Sequence, residues 1–265
     1  MLVRNEDLFV ERALRSVAAF CDRIHAVDHV SDDGTWGILQ RLAGELDHLD
    51  VRRSARAGDS HAVLEHYAGT PTWVLRVDGD ELHDPAKLAS LRRELRAGAC
   101  SDVFRVLGHV LNCDELDLDA RIAAGHMSPP SRQGSKLFNF AALESWTGAI
   151  ERLHGGDPVF RSGRSWDSWR NLAEETTWDD DPLRCLHVCF LARSSGERDP
   201  EQRQNLNETG AFDRSAVAVL KRRVRPYAPP PKVAELHRSG RTWKHAYYRR
   251  GERVTVDASP FLDAG

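Results

Sequence analysis

Three carboxylates, Asp78, Asp80 and Glu81, stand directly behind Trp73-Val74-Leu75-Arg76-Val77, a run with the apolar and β-branched composition of a buried strand. Two more acidic features, Asp28 and the Asp32-Asp33 pair, follow an earlier apolar stretch at Ile24–Val27. Carboxylate oxygens suit hard cations such as Mg²⁺ and Mn²⁺, which need only one or two protein carboxylates when substrate phosphates complete the shell. A cation held there would neutralise a departing diphosphate. Gly79, between two aspartates, leaves room for close backbone approach to a ligand. The competing reading makes Asp80 and Glu81 the acidic first turn of the next helix. A second constellation, Cys185, His187 and Cys189, falls on one face of a predicted strand. A zinc tetrahedron there needs a fourth ligand from elsewhere, and buried structural cysteines are the alternative.

These residues need a scaffold that brings strand ends together. Leu8, Val10, Ala13, Leu14, Val17, Ala18 and Phe20 have helical spacing, and Ile24–Val27 then forms a short strand ending at Asp28. "SDDGT" leads into a helix with Trp36, Ile38, Leu39 and Leu42 on its buried face. "LDVRR" is a strand, "SHAVLEHYA" a helix, 73–77 a strand, and "DPAKLASLRRELRAG" a helix opened by Pro85 and closed near Gly98. This alternation predicts an α/β fold with a mostly parallel sheet flanked by helices, whose ligands bind beyond the carboxyl ends of the strands. The second half is expected to be loop-rich. It has strands at 101–112, 135–140 and 184–194, a polar loop over 114–134, and Trp146, Trp166, Trp169 and Trp178 between them. The tryptophans suit either a sugar-stacking wall or a core. From 199 a helical and basic extension holds "RSAVAVLKRRV", a stiff proline segment and "KHAYYRR". The expected division is 1–110, 111–198 and 199–265.

With 265 residues, 41% hydrophobic and 29% charged, the chain is globular and long enough to bury a core unaided. A net charge of −3 excludes a strongly basic nucleic-acid binder, while the basic stretches leave phosphate, an anionic acceptor or peripheral membrane contact open. Five scattered cysteines, no secretory leader and no long apolar span point to a cytoplasmic protein with reduced thiols. Richness in Arg, Ala and Asp suggests a bacterial source.

"VRNEDLFVERAL", "AVDHVSDDGT" and "WVLRVDGDEL" together resemble the successive motifs of family 2 glycosyltransferases, in order and at fitting spacings over about residues 1–110. The resemblance implies a GT-A (Rossmann-like) fold, a nucleotide-diphosphate-sugar donor, a hydroxyl acceptor, a divalent cation and hexosyl transfer with inversion. By the same resemblance Arg4, Glu6, Asp28, Ser31, Asp33, Gly34, Thr35, Asp78 and Gly79 would shape the nucleotide-sugar pocket. Asp80 would be the metal ligand, with Asp78 and a late histidine, His187, beside it. The chain departs from the family in a short first strand, in His29 near the base contacts, and in a His-Glu pair that is split into Glu151 and His154. An inverting transferase needs a carboxylate to deprotonate the acceptor. Glu151 is the first choice, with Asp157 and Glu144 behind it. Two other classes compete. A sugar-phosphate nucleotidyltransferase would carry a Gly-x-Gly-x-Arg loop where this chain has "VRNED", and a non-catalytic scaffold would bind nucleotide sugar without transfer.

Overall fold

The computed structural model describes residues 1–130, 135–147, 156–239 and 242–263. The first half alternates as its periodicities require: β1 (Leu2–Val3), α1 (Val10–Ala18), β2 (Ile24–Asp28), α2 (Thr35–Glu45) and β3 (Leu49–Arg53). β1, β2 and β3 form a parallel sheet in that order, with Leu2 opposite Val27 and Ile24 opposite Leu49. Val10, Leu14 and Val17 of α1 and Leu39 and Leu42 of α2 bury one stripe of each helix in a shared core. The next expected helix is only one turn, α3 (Asp59–Ala62), followed by a 3₁₀ turn.

β4 (Trp73–Leu75) and β5 (Glu81–His83) flank the acidic turn, and α4 (Pro85–Arg96) follows. α4 is capped by Asp84, whose Oδ1 accepts from the Lys87 amide at 3.0 Å, with Pro85 in the first turn. Asp80 and Glu81 therefore do not open a helix. Asp80 closes the turn that follows β4, and Glu81 begins the buried strand β5.

The second half runs through β6 (Arg105–Leu107), β7 (Val110–Asp117), β8 (Ile122–Met127), β9 (Ser135–Asn139), β10 (Leu143–Thr147), β11 (Asp157–Phe160), β12 (Trp169–Asn171), α5 (Leu172–Glu175) and β13 (Cys185–His187). α6 (Leu206–Thr209), α7 (Ala216–Val224), α8 (Pro231–Arg238), α9 (Trp243–Tyr248), β14 (Arg253–Asp257) and α10 (Ser259–Leu262) complete the chain. The fold is mixed α/β, and the expectation of a mostly parallel sheet needs correcting. Beyond β1–β3 lie a four-stranded sheet, β12-β6-β9-β4, and a five-stranded sheet, β14-β8-β7-β13-β5, both with antiparallel ladders. The 114–134 stretch is not simply a polar loop, because β7 and β8 pair across it from Leu111↔Met127 to Asp117↔Ile122. Nor is the C-terminal part wholly helical. In β14, Val254 and Val256 alternate with Arg253, Thr255 and Asp257, pack on the core, and pair with β8.

β1 and β4 are each the edge of their sheet. Between them lies a cavity of about 630 Å³ lined by Met1, Ile24, His25, Trp73, Leu75 and Leu95, among others. The Met1 amine donates to the His25 carbonyl at 2.9 Å, and burial lowers its pKa.

Candidate functional site

The loops after β1 and β2 are tied together. The Asn5 amide donates to Ser31 Oγ at 2.9 Å, the Glu6 amide to Thr35 Oγ1 at 2.8 Å, and the Thr35 amide to Asp33 Oδ1 at 2.9 Å. Asn5 and Val30 both have φ of 55°, a left-handed conformation that is a genuine outlier for β-branched Val30. Asp28 is fully buried and committed within the protein. It accepts from the Ser31 amide at 3.2 Å and pairs with Arg53 Nε at 3.0 Å. His29 is buried as well, with Nδ1 3.1 Å from the Ser54 carbonyl and Nε2 2.8 Å from the Ala211 carbonyl. Arg4 lies at the same edge, 4.0 Å from Asp32. The Gly34 amide meets Asp7 Oδ2 at 3.3 Å.

Asp78 turns its carboxylate to Arg76 at 2.5 Å, and its amide donates to Glu81 Oε2 at 3.0 Å. At Gly79 a Cβ would lie 2.8 Å from Val3 Cγ1 and 3.0 Å from Glu6 Cγ, so the missing side chain lets β1 and its loop approach closely.

Strand register brings the rest together. The antiparallel ladder of β13 on β5 sets His187 opposite Glu81, next to Asp80, and the parallel ladder of β13 on β7 sets His187 opposite Asn112. His187 Nε2 lies 3.4 Å from Asp80 Oδ2, and its Nδ1 lies 2.9 Å from Asn112 Oδ1. The Asn112 amide nitrogen donates to Ser128 Oγ at 2.8 Å, which leaves Oδ1 as the acceptor for His187 Nδ1–H. The Nε2 of His187 thus faces the carboxylate, and a proton or a cation must lie between the two. Burial works against the charged forms of both. The Arg193 and His187 charges nevertheless hold Asp80 well below the usual carboxylate range, and Cys189 and Asp80 push His187 well above the usual imidazole value.

Arg193 approaches from the segment after β13. Its guanidinium bonds Asp80 Oδ2 and lies 3.6 Å from Glu6 Oε1. Arg203 adds 2.8 Å to the same Glu6 oxygen and bonds the carbonyls of Arg4 and Asn5. Burial still dominates at Glu6 and pushes it up to about 8, with Oε2 buried and without a hydrogen-bond partner among the described residues. The segment is pinned to both motif loops, with Ser194 Oγ donating to Asp33 Oδ2 at 2.6 Å and the Ser195 amide to Asp7 Oδ1 at 2.7 Å. Burial would raise Asp33, but its hydrogen bonds from Ser194 and Thr35 outweigh that and lower it.

Among the described residues no group of three or more His, Cys, Asp or Glu side chains converges as a metal cage. The donor pair still fits a divalent ion. The observed 3.4 Å separation is close to the roughly 3 Å between adjacent ligands of an octahedral ion with bonds of about 2.1 Å. His187 also has its other nitrogen held by an amide oxygen, as metal-binding histidines do. Asp78, turned to Arg76, stands outside this pair. Zinc on Cys185, His187 and Cys189 is not supported: both cysteines are buried, and His187 faces Asp80.

Glu151, expected as the acceptor base, and His154 lie outside the described residues. Glu144, on β10, and Asp157, on β11, are both exposed. The four tryptophans form no single wall. Trp146 and Trp166 pack with Phe104 and Phe140, Trp178 packs against Phe261, and Trp169 is exposed. Arg193, Arg203 and Asn112 were not singled out from the sequence. Nothing local distinguishes the two arginines among 37 basic residues. Asn112 could have been found only by pairing β7 with β13.

The loops after β1 and β2, the acidic turn before β5 and the histidine at the end of β13 thus meet in one largely buried cluster. No curated protein matches the chain significantly. The family model described as glycosyl transferase family 2 matches residues 1–137, more than half of the 265, and the chain therefore belongs to that family.

Proposed function

We propose that this chain transfers a hexosyl group from a nucleotide-diphosphate sugar to a hydroxyl acceptor, with inversion and with Mg²⁺ or Mn²⁺. Family membership supports glycosyltransferase activity with a nucleotide-sugar donor and an acceptor. The observation that carries the cation part of this reading is the meeting of Asp80 and His187 beside the loops of Arg4–Glu6 and Ser31–Thr35.

Asp80 and His187 would hold the ion, which supplies positive charge to the leaving diphosphate. Asn112 fixes the tautomer and orientation of His187. Arg4, Glu6, Asp28, Ser31, Asp33, Gly34, Asp78 and Gly79 would frame the donor, Asp28 by holding the Ser31 loop and Gly79 by admitting Val3. Glu151 would take the acceptor proton. The nucleotidyltransferase alternative lacks its glycine-rich loop, and a purely binding scaffold, which the split Glu151 and His154 would suit, is opposed by the intact Asp78-Gly79-Asp80.

The test is thermal melting with a panel of nucleotides and nucleotide sugars, each with and without Mn²⁺. A ligand at a hundredfold excess over its Kd stabilises the folded state by about 2.7 kcal/mol. A metal-requiring shift with one nucleoside diphosphate, abolished in Asp80→Ala, supports the reading. Nucleotide shifts indifferent to Mn²⁺ remove the cation from it, and no shift with any nucleotide removes the donor.

A further inference from the structure

α7 buries none of its residues. Val217, Leu220 and Val224 are 63%, 63% and 78% exposed, although a soluble helix ordinarily turns such residues inward. At 100° per residue they fall in one stripe, with Lys221 beside it on one flank and Arg223 on the other. Between Asp213 and Glu235 the chain has no acidic residue and six basic ones: Arg214, Lys221, Arg222, Arg223, Arg225 and Lys232. A chain with a net charge of −3 therefore concentrates positive charge around its most exposed apolar stripe.

We propose that α7 is a membrane-docking helix that lies in the interface of an anionic lipid surface. Val217, Leu220 and Val224 would enter the acyl boundary, while Lys221 and Arg223 reach lipid phosphates at its edges. The charge favours this occupant over a second copy, because two such faces would bring like charges together. No helix among the described residues is long and apolar enough to cross a membrane, so this contact is peripheral.

The foot of α7 is joined to the donor crevice. The Ala57 amide donates to the Phe212 carbonyl at 2.8 Å, the Arg214 amide to the Ala55 carbonyl at 2.7 Å, and the Ala211 carbonyl meets His29 Nε2 at 2.8 Å. Docking α7 would hold the crevice near the lipid surface, which suits an acceptor hydroxyl on a lipid-linked molecule. That last step rests on the transferase reading, whereas lipid binding does not.

The experiment is co-sedimentation with vesicles of phosphatidylcholine alone and of phosphatidylcholine mixed with phosphatidylglycerol. The unmodified chain should bind the anionic vesicles, less so at high salt, and the neutral ones weakly. Lys221→Glu or Arg223→Glu should cost at least about fivefold in binding. Leu220→Glu with Val224→Glu should abolish it, without change in melting temperature or in nucleotide-induced stabilisation. Absence of anionic binding, or equal binding by the variants, overturns the proposal. So does a dimer in solution that Leu220→Glu dissociates, which would make the face an interface between copies. A nucleotide panel that fails while vesicle binding persists removes the donor reading and leaves the docking helix standing.

Discussion

Arg193 and His187 meet the same oxygen of Asp80, the guanidinium through Nη1 and the imidazole through Nε2 at 3.4 Å. A cation bound by Asp80 and His187 must therefore compete with Arg193 for that oxygen. Charge-assisted hydrogen bonds are among the stronger ones, so removing this one should strengthen Mn²⁺ binding by about tenfold. Calorimetric titration of Arg193→Met with Mn²⁺ alone measures it. Beside Arg4 and Arg203 the released guanidinium is available to a diphosphate, so the same variant should bind a nucleoside diphosphate with Mn²⁺ more weakly. Weakening of both ligands would mean that Arg193 merely supports the fold.

Asn112 acts on the Asp80–His187 pair through His187. Asn112→Leu removes the acceptor that fixes Nδ1–H and leaves the donor atoms of Asp80 and His187 in place. Loss of such a partner should weaken metal binding by about 10–100-fold. Titration with Mn²⁺ and a melting curve on the same sample separate lost affinity from lost fold.

Arg184 closes on Asp84 at 2.8 Å, both side chains buried, and lies 5.5 Å from the Trp178 ring centroid and 5.2 Å from that of Phe261. Asp84 also caps α4, so the pair ties the helix after the acidic turn to the approach of β13. Arg184→Met should cost about 3–5 kcal/mol by stranding a buried carboxylate. Denaturant unfolding reads this directly, and Asp84→Asn combined with Arg184→Met should cost less than the arginine change alone.

Glu6 carries a pH signature. Its pKa is raised from 4.5 to about 8 in the folded chain, chiefly by burial, so between those values the folded state binds the proton that the unfolded state has lost. The contribution of Glu6 is present in full below pH 4.5, declines as pH rises, and is gone once pH passes about 8. Glu6→Gln should flatten the fall in stability across that window. Parallel stability profiles for the two proteins would place the Glu6 pKa in the ordinary carboxylate range.

Much of the crevice was legible because α/β alternation dictates where loops gather. The strand–helix alternation of residues 1–53 and the acidic turn behind the Trp73 strand follow from local periodicity. β5 was not legible: three residues, Glu81-Leu82-His83, with two titratable side chains look like a helix start until β13 pairs with them. β14 does show period-two alternation at Val254 and Val256, but its basic, aromatic surroundings masked it. Arg193 reaches Asp80 from 113 positions away, and no spacing rule spans that distance.

The cavity between β1 and β4 sets how the molecule can yield. Ladders stiffen a sheet because opening them breaks a row of main-chain hydrogen bonds at once, and no ladder joins these two edges among the described residues. The β1–β3 sheet is instead coupled to the remaining strands through α1 packed on β5, and through Val3 seated on Gly79. To these side-chain contacts are added single hydrogen bonds, the His83 amide to Ser16 Oγ at 3.2 Å and the Leu8 amide to the Arg193 carbonyl at 3.1 Å. The two edges therefore face each other across the cavity with no main-chain ladder between them among the described residues, so a shift of one edge breaks no ladder of the other sheet.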